Sequence, residues 1–287
     1  MEEIQRMLHS IEYIEGNLEQ YLCIEDIAEI ACMSKFHFQR MFSMLTGYTV
    51  SEYIRNRRLT VAAQELVYSK SKVIDVALKY GYETPESFTK AFRKIHGISP
   101  SSAKKNTQSL KAYPRLSFQI QLKGDVGMDY KIVEKEAFKV VGKSIRTSTS
   151  GGENNRKIVS FWDESNQNGF TAVLAKNSGS LGLIGVCMDF DKLQENLTYL
   201  IGAEKHIEHV PNDWEERQIP AATWAVFPVH GAMPDAMQKV WDRIFSEWFP
   251  ATGYEHSGGP EMEVYLSDGD PSSKDYYSEI WIPIKNK

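Results

Sequence analysis

Apolar positions in the first hundred residues recur three and four apart. Ile4, Met7, Leu8, Ile11, Ile14 and Leu18 mark one face of a helix over residues 2–20, with an acidic outer face. Ile24, Ile27, Ala28 and Ala31 predict a short second helix. Ser34 is a good N-cap for a third. In that helix Phe38, Met41, Phe42 and Leu45 point inward, and Lys35, Phe36, Gln39, Arg40 and Ser43 fall on the other side. Gly47 fits its C-terminal stop. The layout then recurs. A longer helix over residues 50–68 turns Tyr53, Ile54, Leu59, Ala62, Ala63 and Leu66 inward. Val73, Ile74, Val76, Ala77 and Leu78 repeat the short helix, and Gly81 makes the turn. Thr84 caps a further helix, with Pro85 at its first position and Glu86 in its first turn. There Phe88, Ala91, Phe92 and Ile95 face in, Glu86, Thr89, Lys90 and Arg93 face out, and Lys94 lies at the edge.

Helix, turn, helix, written twice and joined by one stiff helix, can place two reading helices in successive major grooves ~34 Å apart. The first reader offers Gln39 and the forked donor Arg40 to base edges. In the second, Glu86 can accept from a cytosine amino group or merely repel phosphate.

Beyond residue 104 the helical period is lost. Leu116, Phe118, Ile120 and Leu122 alternate as a short strand. From Met128 the chain repeats itself: Trp162-Asp163 and Trp241-Asp242 lie 79 residues apart. Each copy reads strand, helix, strand, strand, a unit that buries a sheet under helices and leaves a groove between copies. The expected fold is therefore multidomain. Residues 1–106 form an all-α double helix-turn-helix domain, 107–127 a linker and short strand, and 128–287 an α+β domain of two pseudo-repeated units.

The last strand carries candidate chemistry. By the period of two, Tyr277, Glu279 and Trp281 share one face, and Ser278, Ile280 and Ile282 the other. A carboxylate between aromatics suits a cationic or amphipathic organic ligand. The alternative is a solvated glutamate whose stem the aromatics cover. Trp241 and Trp248 stand at helical spacing and read as core.

Charge sharpens the picture. The chain carries a formal net charge of -5, but residues 33–106 hold thirteen basic against five acidic side chains. A basic block on a helical repeat points to nucleic acid. Three cysteines without a CxxC, and no histidine cluster at zinc spacing, predict neither a disulfide framework nor a metal site. No apolar run approaches a membrane span and no signal peptide opens the chain, so the expected location is the cytoplasm. No cofactor is expected.

Two resemblances follow. Residues 8–105 resemble the AraC/XylS-type DNA-binding domain through Ile24-x-x-Ile27-Ala28, Phe38-x-Arg40-x-Phe42, Tyr53-Ile54-x-x-x-Arg58-Leu59, Gly81-Tyr82, Ser87-Phe88-x-x-Ala91-Phe92 and Gly97-x-Ser99-Pro100. That resemblance implies base contacts from Phe36, Gln39 and Arg40, flanked by Lys35, and from Glu86, Thr89 and Lys90, flanked by Lys94. Where the family has an aromatic-Arg pair after the proline, this chain has Ser101 to Lys104, leaving a lysine for phosphate. Residues 128–287 resemble GyrI-like effector-binding domains through Val140-Val141-Gly142, Phe161-Trp162, Tyr199-x-x-Gly202, Ile219-Pro220-Ala221, Trp241-x-x-Ile244-x-x-x-Trp248 and Glu279-Ile280-Trp281-Ile282-Pro283. It implies that Glu279 contacts ligand, with Trp281, Tyr277, Tyr199 and Trp162 as groove wall.

Together these imply a DNA-binding transcription regulator, an activator in the first instance. Its partners would be double-stranded DNA, a small-molecule effector and RNA polymerase. The alternatives are a small-molecule hydrolase using Glu279 as base, or a module that sequesters a toxin. The chain shows no nucleophile–His–acid set, HExxH or phosphate loop, which argues against an enzyme.

Overall fold

The computed structural model describes residues 2–105, 110–117, 127–206, 209–266 and 269–287. Seven helices come first: α1 (Glu2–Gly16), α2 (Ile24–Ile30), α3 (Lys35–Thr46), α4 (Val50–Tyr68), α5 (Val73–Lys79), α6 (Pro85–His96) and the short α7 (Pro100–Ala103). The expected strand at 116–122 is not found where it is described. Leu116 and Ser117 are irregular, and Phe118 to Leu122 lie outside the described residues.

The chain divides into two compact units. The helical unit comprises Glu2–Lys35 and Val50–Gln121, the sheet unit Phe36–Thr49 and Leu122–Lys287. All but the first residue of α3 therefore group with the sheet unit.

In the helical unit the inward residues of α4, α5 and α6 meet in one core of Leu59, Ala62, Leu66, Val76, Ala77, Phe88 and Phe92. The turns before α3 and α6 use the left-handed region, at Cys32 (φ 53°) and Gly81 (φ 81°). Thr84 caps α6 by accepting from the Ser87 amide at 3.1 Å, with Pro85 in the first turn. Arginines at the start of α4 serve the fold. Arg57 grips Glu15 through Nε and Nη2 at 2.8 and 2.7 Å, and Arg58 donates to the Leu18 and Gln20 carbonyls. Lys104, read from the sequence as a phosphate contact, donates instead to the Lys70 and Ser71 carbonyls.

The sheet unit is one antiparallel sheet. Its strands are β1 (Lys131–Lys135), β2 (Phe138–Ser148), β3 (Leu183–Met188), β4 (Asn196–Glu204), β5 (Glu215–Ile219), β6 (Ala222–His230), β7 (Tyr254–His256), β8 (Glu261–Tyr265) and β9 (Tyr277–Asn286). The order is β1-β6-β9-β8-β3-β4-β2-β5, with β7 beside β9. Helices α8 (Glu153–Gln167) and α9 (Phe170–Lys176) follow β2. Helix α10 (Asp235–Arg243) runs through a π turn at Ile244–Trp248 into α11 (Phe249–Ala251) after β6. The two expected strand-helix-strand-strand copies are present, joined through the β3–β8 pair at the centre of the sheet.

Both faces of this sheet are buried. One lies under helices: Phe170 and Leu174 of α9 pack on Leu197, Tyr199, Ile201 and Ala203 of β4. The other is covered by the curling of the sheet. Val140, Ile184, Val186, Leu200, Trp224, Val226, Met262, Val264 and Trp281 form a cluster with no helical member. Strands approach closely at Gly142, where a Cβ would stand 2.1 Å from the Ile201 carbonyl oxygen. Gly142→Ala should therefore destabilise the chain by about 1–3 kcal/mol, seen as a lower urea midpoint with an unchanged slope.

Candidate ligand groove and reading helices

Cross-strand partners share a sheet face. Glu263 pairs with Gly185 and with Ile280, while Glu279 pairs with Val264 and Pro228. Glu263 therefore lies on the helix-covered face and Glu279 on the self-covered one. This corrects the expectation that Glu279, Tyr277 and Trp281 share a groove wall with Tyr199 and Trp162. The period-two reading of the last strand holds, since Tyr277 Oη and Trp281 Nε1 both donate to the Glu279 carboxylate, at 2.9 and 2.8 Å. That carboxylate also pairs with Lys131 at 2.9 Å and is 4 % exposed, so it is not solvated.

On the helix-covered face β8 sets out Glu261, Glu263 and Tyr265. Glu263 accepts from Tyr199 Oη at 2.7 Å, Trp241 Nε1 at 3.0 Å and Tyr265 Oη at 3.1 Å. Trp162 Nε1 donates in turn to Tyr199 Oη at 2.9 Å. The tryptophans 79 residues apart thus converge on one carboxylate from the helices of the two copies. Tyr199 and Trp162 belong to this site, and Trp241, read from the sequence as core, belongs to it too. Trp248 does serve the core, 5.0 Å from the Phe227 ring. Gly185 lies beneath: a Cβ there would stand 2.1 Å from Tyr199 Oη and 3.1 Å from a Glu263 oxygen.

Among the described residues no cation forms an ion pair with Glu263. Burial, and then the nearby charge of Glu261, raise its pKa against the pull of its three donors. Burial also pushes Tyr199 and Tyr265 well above the usual phenol range. The site opens on a cavity of about 260 Å³ walled by Tyr199, Trp241, Cys187, Ile158 and Asn155, and on another side by Arg40, Ser43, Met44 and Gly47. A larger cavity of about 540 Å³ runs past Phe36, Phe190, Glu216 and Arg217. Its charges are already paired, Arg217 with Asp189 and Glu216 with Lys139 and Lys205.

Glu261 meets the opposite fate from Glu263. Arg40 grips it through Nε and Nη2, both at 2.6 Å. His256 Nε2 lies 3.1 Å away; because His256 Nδ1 accepts from the Gly258 amide at 2.9 Å, Nε2 carries the proton and donates. Burial alone would raise the Glu261 pKa, but the Arg40 charge and the His256 hydrogen bond hold it down at about 2. The Arg40 guanidinium stands 5.4–5.7 Å from the Phe190, Trp241 and Phe245 rings. Around it Gln39 Nε2 donates to the Lys192 carbonyl at 3.2 Å, Gln194 donates to the Phe36 carbonyl, and Phe36 lies 4.7 Å from the His256 ring. His37 is buried against Phe249 and accepts from the His256 amide. Burial and the neighbouring His256 push its pKa down to about 3.

Gln39 is thus 4 % exposed. The face of α3 expected to be outward, with Phe36, Gln39 and Arg40, is turned to the sheet unit, and only Lys35 stands apart, paired with Glu25 at 2.6 Å. The second reader differs: Glu86, Lys90, Arg93 and Lys94 of α6 are exposed and Thr89 is half-buried. Two residues that matter here, Glu261 and Glu263, carry no ligand role in the sequence reading, which has Glu263 only in the family motif Glu263-x-Tyr265. Their signal was the alternation Glu261-Met262-Glu263-Val264-Tyr265.

Because the folded chain favours the neutral acid at Glu263, that group stabilises fully below the ordinary glutamate pKa of about 4 and loses the contribution as pH rises through its raised value. Glu263→Gln should therefore melt above the wild type at pH 7, by on the order of 1 kcal/mol, and the gap should close towards pH 4. Equal melting at both pH values would contradict a carboxylate made costly by its surroundings.

Residues 131–284 match the family described as integron-associated effector binding protein, and residues 27–106 match a helix-turn-helix domain. The chain is 44 % identical over 94 residues to the transposon Tn10 TetD protein of Escherichia coli, spanning 33 % of this chain and 68 % of that protein. It is 46 % identical over 89 residues to the HTH-type transcriptional activator AarP of Providencia stuartii, spanning 31 % and 66 %. Among solved structures, SAV2435 bound to tetraphenylphosphonium shares the fold, with a TM-score of 0.50 and 24 % identity over 55 % of this chain and 94 % of that one. The chain belongs to the AraC-type helix-turn-helix transcription regulators, DNA-binding proteins rather than enzymes, and carries an integron-associated effector-binding domain in its second half.

Proposed function

We propose that this regulator responds to a cationic aromatic compound held at Glu263, and that residues 128–287 sense it on behalf of a DNA-binding region in residues 1–106. The observation that carries this reading is Glu263 itself: a half-buried carboxylate with no cation on it among the described residues, held by Tyr199, Trp241 and Tyr265 at the wall of a cavity. A carboxylate whose pKa is raised by its surroundings at the wall of a cavity is a functional marker. A delocalised organic cation supplies the missing charge, and the aromatic wall attracts it by cation–π contact. The similarly folded SAV2435, solved with tetraphenylphosphonium, supports that ligand class.

On DNA, the exposed face of α6 offers Glu86, Thr89 and Lys90 to one major groove with Lys94 at its edge, and Phe36, Gln39 and Arg40 of α3 read a second, with Lys35 beside them. The outcome is activation, in keeping with the name of AarP, through contact with RNA polymerase at the promoter. The chain works where the DNA is, in the cytoplasm. Among the described residues no helix is long and apolar enough to cross a membrane.

Tetraphenylphosphonium should raise the melting temperature of the wild type, by about 2.7 kcal/mol of stabilisation at a hundred times its Kd, and should leave Glu263→Gln unmoved. An equal shift in both would place the ligand elsewhere. On operator DNA, Lys90→Ala should weaken binding uniformly across sequences and reduce the salt slope by about one. Arg40→Ala should cost ~1–3 kcal/mol and relax preference at one base pair.

A further inference from the structure

We propose that the carboxylate and rings around Arg40 form a cation site which the reading helix α3 itself fills in the ligand-free chain, so that a cationic aromatic ligand and DNA reading by α3 are coupled through the vacating of that site. This rests on the ligand reading above and adds its regulation.

The surroundings of Arg40 are those of a bound cation. Glu261 takes the guanidinium in a two-pronged grip at 2.6 Å, and Phe190, Trp241 and Phe245 stand 5.4–5.7 Å from its centre. Carboxylate plus aromatic faces is the chemistry that recognises organic cations. The site is continuous with the groove at Glu263. Trp241 borders both, its indole N–H on Glu263 and its ring facing Arg40, and Arg40 and Glu263 line the same cavity. That cavity, at about 260 Å³, is below the ~300–1,000 Å³ that drug-sized ligands occupy. Arg40, Ser43 and Met44 form one wall of that cavity, so a bulky aromatic cation on Glu263 gains room where they now sit.

The seated helix cannot read DNA. The Nε–Nη2 edge of Arg40 is spent on Glu261, and Gln39 spends its amide on the Lys192 carbonyl; guanine and adenine need those same donors. The major groove, ~12 Å wide, admits a helix but not a helix with a sheet unit over its reading face. Ligand and DNA therefore favour the same vacated state, and each must tighten the other by one common factor.

The test uses the full chain and its operator, with affinity read by fluorescence anisotropy at fixed salt. Without ligand, Glu261→Gln should bind at least tenfold tighter than the wild type and Phe190→Ala several-fold tighter. Glu164→Gln, which removes an exposed charge only, should show no gain. Affinities equal to the wild type in Glu261→Gln and Phe190→Ala overturn the proposal, and Phe190→Ala decides alone if Glu261→Gln does not fold. Tetraphenylphosphonium should then tighten wild-type DNA binding, with little further gain in Glu261→Gln. A compound that binds in a Glu263-dependent way yet leaves DNA affinity unchanged overturns the coupling and spares the ligand groove. Tighter DNA binding by Glu261→Gln with no binding of the compound supports the Arg40 lock and removes the ligand class.

Discussion

Two carboxylates on one face of a central strand, under a layer of helices, constrain everything around them. Glu261 and Glu263 are two residues apart on β8, so the pleat aims both to the same side of the sheet, Glu261 buried and Glu263 half-buried. Desolvating a carboxylate costs several kcal/mol unless it is compensated. The two are compensated differently. Glu261 has a guanidinium and an imidazole N–H that hold its pKa down at about 2; Glu263 has three neutral donors and its pKa is pushed upward. Opposite shifts on neighbouring groups in one groove mark a division of labour, with one carboxylate already satisfied and the other waiting for charge.

The duplicated unit explains how so many donors reach Glu263. Two strand-helix-strand-strand copies meet at β3 and β8, which brings their helices to the two sides of one groove. Trp162 and Trp241 stand at equivalent places in the copies, so one indole reaches Tyr199 and the other Glu263. Gly185, opposite Glu263 on β3, leaves room for the Tyr199 hydroxyl. A groove made by apposing two copies is symmetric in its frame and asymmetric in its charge, because only the second copy carries the glutamates.

Much of this was legible from residues near one another. The helical period, the Thr84-Pro85 start and the glycine stops are local signals, and they place α1–α6 well. The period of two correctly grouped Tyr277, Glu279 and Trp281. What it could not say is which face of the sheet they occupy. Both faces are buried here, so the alternation of polar and apolar residues that usually distinguishes core from solvent is lost. Glu279 resembled a ligand contact for that reason; its carboxylate lies on the face away from Glu263, paired with the exposed Lys131. The burial of Arg40 was illegible for a different reason: its partner Glu261 lies 221 residues away, and a helix built to read DNA has the same amphipathic pattern whether or not something covers its polar face.

The magnitudes suit a switch. Moving a two-state equilibrium from 1:99 to 99:1 takes about 5.5 kcal/mol of differential binding. Removing one partner of a buried ion pair costs ~3–5 kcal/mol, and desolvated cation–π contacts add up to ~2 kcal/mol. The cage around Arg40 is thus of the size needed to hold α3 seated, yet within reach of a ligand that replaces the guanidinium with its own charge. A lysine at position 40 would keep the charge but lose the fork and the flat face, weakening both the lock and the base contact. On the proposed reading one residue type serves both states: the planar, two-pronged donor that grips Glu261 has the shape that also fits a guanine edge, and only one of these partners can hold it at a time.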